Sequence, residues 1–140
     1  MDAKSVVLAA LAPAEGGVYS PVQVQKLIFI LNEEIPKQFD GPHFNFEPYD
    51  YGPFDKKVYE TLEALEKEGL VEIIRERWNS YKLTPAGQAR GNKLVSDLNN
   101  TAMQYLINLS KFVRSLSFSE LVSAVYKAYP KMKENSVFQG

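Results

Sequence analysis

The amino-acid sequence predicts a mainly α-helical fold with one small β-hairpin, which places it in the α+β class. Three observations lead to this prediction. Apolar residues three and four positions apart, typical of amphipathic helices, recur along the chain. Capping signals and prolines mark where several of these segments begin and end. The stretch LVEIIRERWNSYKL instead has two short apolar runs separated by a polar turn, which predicts a hairpin.

The composition limits the classes of function. The 140 residues suit one domain, and 45% hydrophobic residues are enough for a core. The absence of cysteine excludes disulfides and zinc–cysteine sites. The N-terminus has no secretory pattern, and the apolar run LIFIL is far shorter than the ~20 residues of a membrane span. We therefore expect a cytoplasmic protein without a membrane partner.

The first two helices are predicted from apolar periodicity and capping. Residues 2–11 have an apolar side and precede the Pro/Gly loop APAEGGVY. At the second helix, Ser20 suits the cap, Pro21 the first helical position, and Gln23 completes a capping box. Pro36 ends this helix. The apolar residues on one face of it, which predict core, are Val24, Leu27, Ile28, Leu31 and Ile35.

The third helix is predicted over residues 54–68, after a long connector rich in proline, glycine and aromatic residues. Within this connector FNFEPY permits at most a short edge strand, because Pro48 cannot donate to a sheet. Gly52-Pro53 is interpreted as the turn into the helix, and Asp55 as its cap. The apolar face of this helix is predicted to comprise Phe54, Val58, Leu62 and Leu65.

The hairpin follows the third helix directly. It is predicted as a strand over residues 70–74, a polar turn over 75–80 and a returning strand over 81–83. Thr84 then suits the cap of a fourth helix. Further helices are predicted over residues 92–115 and 117–129, and in the last of them Ser117 suits the cap and Glu120 completes a capping box.

Three helices followed by a two-stranded hairpin are the order of elements in a winged helix-turn-helix. We therefore predict a winged-helix core over residues 1–92. A C-terminal helical extension over residues 93–140 is expected to pack on that core, so that the chain forms a single domain overall.

Three segments also carry a resemblance to a known family. They are YDYGPFDKKVYETLEALEKEGLV, YKLTPAGQA and YKAYPKMKENS. Together they resemble the Panacea-type domains of antitoxins and phage-linked proteins and their microbial relatives. The likeness covers residues 20–136 and is most specific from Tyr51 to Pro53. It implies a winged-helix-like fold and a binding role in toxin neutralisation, as an adaptor or in transcriptional control, without fixing the partner.

Candidate catalytic and metal-binding residues are few. His43 is the only imidazole, and although Glu47, Asp50 and Asp55 lie near it in sequence, a hydrogen-bonded loop histidine is favoured over a metal ligand. No nucleophile elbow, phosphate loop or dinucleotide fingerprint is present. We therefore expect no enzyme and no cofactor. An enzyme using the region from His43 to Asp50 stays as a distant alternative.

The charge pattern makes double-stranded DNA the first expected ligand. Residues 1–70 carry twelve acidic and six basic side chains, whereas residues 71–93 carry two acidic and five basic ones. A winged helix places its third helix and its wing on DNA. The acidic third helix argues against this, because phosphates dominate affinity. The predicted nucleic-acid-binding residues are Lys56, Lys57, Arg75, Arg77, Trp78, Asn79 and Lys82.

The alternative is a protein-binding antitoxin or adaptor that uses the winged helix as an interaction platform, with a toxin as one such partner. Aromatic residues are enriched at interfaces, and Tyr49, Tyr51 and Tyr59 are the predicted partner-binding residues. Trp78 can stack on a ligand, or it can simply pack back on the domain without a role in binding. For the DNA-binding protein, we expect a homodimer through the C-terminal helices.

Overall fold

The computed structural model describes residues 1–138; the last two residues of the terminal VFQG, which also end the predicted extension, lie outside the described residues. It is mainly helical with two small antiparallel hairpins, so the predicted α+β class is confirmed. The helices are α1 (Ala3–Leu11), α2 (Pro21–Glu34), α3 (Lys56–Lys67), α4 (Pro85–Ser96), α5 (Asn100–Ser115) and α6 (Phe118–Ala128). The strands are β1 (Glu47–Tyr49), β2 (Gly52–Phe54), β3 (Val71–Arg75) and β4 (Asn79–Leu83). No helix within residues 1–138 combines the length and hydrophobicity that a membrane crossing requires.

The predicted helix caps are confirmed. The hydroxyl of Ser20 accepts a hydrogen bond from the Gln23 amide, and the Gln23 side chain accepts one from the Ser20 amide. Ser117 and Glu120 form the same reciprocal pair at α6. Thr84 caps α4 by accepting from the Gly87 amide at 3.1 Å. Each such cap stabilises its helix by about 1 kcal/mol, so local sequence decides where these helices start.

The predicted start of the third helix is wrong. Phe54 belongs to β2, where it pairs with Glu47, and α3 begins at Lys56. The reason is Asp55, whose extended backbone (φ −138°, ψ 117°) precedes the helix while its carboxylate accepts from the Lys57 amide. Gly52 and Pro53 are therefore strand residues and not the turn into α3.

One strand of the β1–β2 hairpin was predicted from the sequence, and the other was not. The segment FNFEPY does contain a short strand, β1, and its proline is tolerated because both strands of a two-stranded hairpin are edges. Its partner β2 follows after a turn at residues 50–51, with Gly52 at φ +99°. The β3–β4 hairpin is also longer than predicted, since Arg75 pairs with Asn79 and only residues 76–78 form the turn.

The core forms around α1, which is buried from Val6 to Leu11 and packs against α3 and α4. α2 packs against α5, α6 and β2. The predicted apolar faces of the second and third helices are buried, apart from the half-buried Ile35 and Phe54. α4 runs continuously across position 92, where the predicted core and extension meet, and places Leu94 and Val95 against the core cluster.

Tyr19 connects the loop before α2 to the β3–β4 hairpin. Its backbone exchanges two hydrogen bonds with Tyr81, at 2.8 and 2.9 Å. Its side chain is fully buried, and its hydroxyl is 2.8 Å from the hydroxyl of Ser110 on α5. One residue therefore connects the hairpin, the start of α2 and the C-terminal helices.

α4 approaches its neighbours through two glycines. A Cβ atom at Gly87 would lie 1.8 Å from the carbonyl oxygen of Leu70, and one at Gly91 would lie 2.6 Å from that of Leu8. Neither distance is possible for a real side chain, so α4 reaches this position only because both residues lack a Cβ atom. The glycine of the LTPAG motif is thereby explained by packing.

We predict that Gly87→Ala lowers the free energy of unfolding by about 3 kcal/mol, because the added methyl group must push α4 away from the backbone of Leu70. Urea denaturation followed by circular dichroism measures this change. Ala89→Ser, at an exposed position of the same helix, is the control and should cost less than about 1 kcal/mol. Equal losses in the two variants would contradict the proposed close approach.

Candidate functional site

A cavity of about 750 Å³ opens between α2, the β1–β2 hairpin, the turn of the β3–β4 hairpin and the start of α6. Its volume lies within the range typical of ligand pockets. Most of its wall is apolar. The aromatic residues of this wall are Tyr49, Tyr51, Phe54, Tyr59, Trp78 and Phe118, and we call the space the aromatic cavity.

Four of these side chains surround the opening and face solvent. Trp78 is 69% exposed, Tyr49 56%, and Tyr51 and Phe118 are each 45% exposed. Three of them contact neighbouring rings: Tyr49 stacks on Phe54 with centroids 5.2 Å apart, and Tyr51 meets Phe118 edge-on at 5.2 Å. We call these four residues the rim.

The structure brings the three predicted partner-binding tyrosines together at this cavity. Tyr49 and Tyr51 point outward, not into the core. Tyr59 is half-buried and stacks on Tyr81 with centroids 6.0 Å apart. Burial raises the pKa of Tyr59 to about 12, so its hydroxyl stays protonated over the physiological range.

The inner wall of the cavity contains a buried lysine. Lys26, on α2, is only 3% exposed, and its ammonium donates a hydrogen bond to the carbonyl of Pro53 at 3.2 Å. No carboxylate within residues 1–138 forms a salt bridge with it. Burial alone lowers the pKa of Lys26 to about 7. The amine therefore loses most of its hydration without gaining a counterion.

Gln25, the residue before Lys26, fixes the adjoining backbone. Its amide nitrogen donates to the carbonyl of Asp55 at 3.0 Å, and its oxygen accepts from the Asp55 amide at 3.1 Å. Because Lys26 holds Pro53 at the same time, two consecutive side chains of α2 position the junction between β2 and α3.

Gln25 and Lys26 were not among the predicted site residues, because only one face of α2 was expected to lie in the core. The available signal was the composition of the segment VQKLIFIL, which is apolar at six of its eight positions. A helix that is apolar on most sides is buried on most sides. Its two polar residues then need partners inside the protein, which is what the structure provides.

The predicted nucleic-acid-binding residues are divided among several environments. Arg75 donates to both carboxylate oxygens of Glu66, at 2.6 and 2.9 Å, and holds the pKa of Glu66 below its usual value. Lys82 lies 3.8 Å from Glu72. Two of the hairpin cations are thus already paired with carboxylates of the same chain.

The remaining predicted nucleic-acid-binding residues differ in the contacts that their side chains make within the protein. Lys56 and Lys57 are both exposed, but Lys57 donates to the carbonyl of His43 at 2.7 Å and lies over the ring of Phe44. Asn79 is also exposed, at the start of β4. The guanidinium of Arg77 lies 5.0 Å from the ring centre of Trp78, beside the aromatic cavity.

His43 is engaged in the loop structure. One ring nitrogen, Nε2, is 2.6 Å from the carbonyl oxygen of Phe39, and its backbone amide donates to Asn32. Asp55 caps α3 and accepts from the Asn45 amide. Among residues 1–138, no three histidine or carboxylate side chains converge in a way that could hold a metal ion.

A scan against protein-family models found no match to this chain, and a search of curated proteins found none either. The resemblance to Panacea-type domains therefore stays a prediction carried by its motifs. The most specific of these, Tyr51 to Pro53, forms part of the hairpin that borders the aromatic cavity.

We predict that Lys26 makes the protein more stable as the pH rises from about 7 to 9. In this window the unfolded chain keeps the lysine proton, whereas the native state, with a pKa of about 7, releases it. Raising the pH therefore favours the native state, by up to about 1.4 kcal/mol per pH unit. The buried tyrosines titrate above this window because their pKa values are raised.

The test compares Lys26→Met with the wild type in urea denaturation at several pH values, with Lys56→Met at an exposed position as the control. The rise in stability should disappear in Lys26→Met and persist in Lys56→Met. The same slope in all three proteins would show that Lys26 keeps an ordinary pKa in the native state.

Proposed function

We propose that the protein is a non-enzymatic regulatory module that binds a protein partner through the aromatic cavity, in the manner of an antitoxin or an adaptor. The observation that carries this proposal is the rim: four exposed aromatic side chains surround one open apolar cavity. Such clusters are characteristic of protein interaction sites, where tyrosine and tryptophan contribute much of the binding energy.

The scaffold we propose is a winged helix-turn-helix, in which α1, α2 and α3 precede a wing formed by β3 and β4. The position of Tyr19 supports this assignment. It lies between α1 and α2 and pairs with β4, as the short first strand of a winged helix pairs with its wing. The helices α5 and α6 then form the C-terminal extension, which packs on α2.

Protein binding is favoured over DNA binding by the charges of α3. In a winged helix this element enters the major groove. Here α3 and its two cap residues carry five carboxylates against three lysines, a net charge of −2; the acidic residues are Asp55, Glu60, Glu63, Glu66 and Glu68, and the basic ones Lys56, Lys57 and Lys67. Fixed negative charge on this helix opposes the approach of phosphates, which dominate DNA affinity.

The resemblance to Panacea-type domains is compatible with this choice, because toxin neutralisation and adaptor activity are among the roles it implies, beside transcriptional control. In this proposal the tyrosines of the Tyr-x-Tyr-Gly-Pro-Phe motif contact the partner. Tyr49 and Tyr51 are its exposed members, and Phe54 supports Tyr49 from below by stacking.

DNA binding is the second candidate, and one observation favours it. Arg77 at the tip of the β3–β4 hairpin forms no salt bridge within the described part of the chain, and Trp78 and Asn79 beside it are exposed. An arginine and an aromatic ring at a hairpin tip suit contact with a phosphate backbone or a narrow minor groove. In this candidate two copies pair through α5 and α6, and the exposed Phe112 of α5 contributes to the contact.

For the protein-binding proposal, we predict that panning a phage-displayed library of random-sequence peptides against the protein enriches peptides with aromatic or aliphatic residues. Tyr51→Ser should weaken binding of the enriched peptides about tenfold, because it removes one exposed aromatic contact. Binding is measured by fluorescence anisotropy of labelled peptides.

Arg90→Ala is the matched control, since this residue is exposed on α4 and does not line the cavity. It should bind the peptides as the wild type does. The proposal fails if panning enriches no peptide relative to an unrelated protein, or if the enriched peptides bind Tyr51→Ser unchanged.

For the DNA-binding candidate, the measurement is titration of a random-sequence duplex at low and at physiological salt. The DNA affinity of such a protein falls steeply as the salt concentration rises. Arg77→Ala would reduce the slope of affinity against salt by the equivalent of about one phosphate contact. We expect instead no salt-dependent binding by the wild type. Steep salt dependence that Arg77→Ala reduces and Arg90→Ala leaves unchanged would reverse the order of the two candidates.

A further inference from the structure

We propose that the aromatic cavity recognises an acidic residue of the partner, next to an aromatic or branched aliphatic residue, and that the ammonium of Lys26 receives its carboxylate. This inference rests on the proposed function, because the bound segment belongs to a protein partner. It adds the chemistry of that segment, which the rim alone does not define.

The first support is the incomplete bonding of Lys26. An ammonium group has three donors, and the carbonyl of Pro53 is the hydrogen-bond partner that the structure gives it within residues 1–138. A buried charge is costly unless it is paired and hydrogen-bonded. A carboxylate from outside would supply the missing counterion and occupy the remaining donors.

The second support is the position of Lys26 at the cavity wall. Lys26 and Gly52 both line the aromatic cavity. A Cβ atom built on Gly52 would lie 3.6 Å from the Nζ atom of Lys26 and 3.1 Å from a ring carbon of Tyr126, so the amine lies close to the Gly52 backbone. A ligand group at this part of the wall therefore lies near the amine.

Charge complementarity identifies the polar group. Lys26 is the one charged residue in the lining of the cavity as the structure describes it, and no aspartate or glutamate is among the lining residues. A cationic partner group would meet an uncompensated ammonium in an apolar site, which is strongly unfavourable. A carboxylate forms a charge-assisted hydrogen bond with the same group.

The apolar walls of the cavity indicate which side chains accompany the acidic residue in the bound segment. Tyr51, Phe118 and Leu121 border the cavity together with Trp78, and such surfaces pack best against aromatic or branched aliphatic side chains. The volume of about 750 Å³ accommodates more than one side chain. A single segment can therefore place an apolar residue between the rings and its acidic neighbour at Lys26.

The experiment pans the same random-peptide library against the wild type and against Lys26→Met at pH 6, where Lys26, with a pKa of about 7, is mostly protonated. Methionine has a similar length and no charge, so it suits the buried position, and circular dichroism verifies that the variant is folded. We expect the wild type to enrich peptides with aspartate or glutamate beside an apolar residue. Lys26→Met should keep the apolar preference and lose the acidic one.

A change in the peptide tests the same contact from the side of the bound segment. Replacing the acidic residue of an enriched peptide by its amide should weaken binding to the wild type about tenfold and leave binding to Lys26→Met within about twofold. Equal weakening for both proteins, or enriched peptides without an acidic residue, would overturn the role of Lys26 while the protein-binding function stands.

Two other outcomes are distinguishable. If neither protein enriches any peptide, the proposed function itself fails and the inference fails with it. Phenylacetate serves as a probe for a free carboxylate on an aromatic body, and its binding is followed by NMR. Binding of phenylacetate that requires Lys26, without any enriched peptide, would assign the site to a small organic acid and overturn the partner segment.

Discussion

The arrangement of the site depends on the hydrogen bonds by which α2 fixes the chain between β2 and α3. Gln25 exchanges two hydrogen bonds with the backbone of Asp55, and Lys26 donates to the carbonyl of Pro53. These contacts give hydrogen-bond partners to the amide of Asp55 and the carbonyl of Pro53, and they add a second donor to the carbonyl of Asp55, which also accepts from the Val58 amide. They fix the position of the β1–β2 hairpin relative to α2, and the aromatic cavity lies between the hairpin and this helix. A buried lysine is thus both an anchor for the fold and the inner wall of the site.

Local signals in the sequence predicted most of the helical fold, since caps and apolar periodicity act over a few residues. Ser20, Thr84 and Ser117 begin their helices as expected. The start of α3 was misjudged because the apolar spacing of Phe54 suits a helix, whereas Asp55 caps from outside it and leaves Phe54 in a strand. Choosing between these two local signals needs the tertiary contact with Gln25, which no short-range pattern contains.

The site was predictable only in part for the same reason. Tyr49, Tyr51 and Tyr59 stood out as aromatic residues in one short segment, and they do line one cavity. Trp78 was assigned to the hairpin on grounds of composition, but its place beside these tyrosines depends on how the hairpin packs. Lys26 is separated from its acceptor Pro53 by twenty-seven positions, so only the folded chain places it behind the tyrosines.

Trp78 belongs to two surfaces at once, because it is at the tip of the β3–β4 hairpin, against Arg77, and also borders the aromatic cavity. A protein segment in the cavity would cover this indole and crowd the arginine beside it. A ligand in the cavity and a ligand at the hairpin tip would therefore compete for this side chain. Any two ligands using these surfaces would be coupled negatively and reciprocally, with each one displacing the other through a single shared side chain.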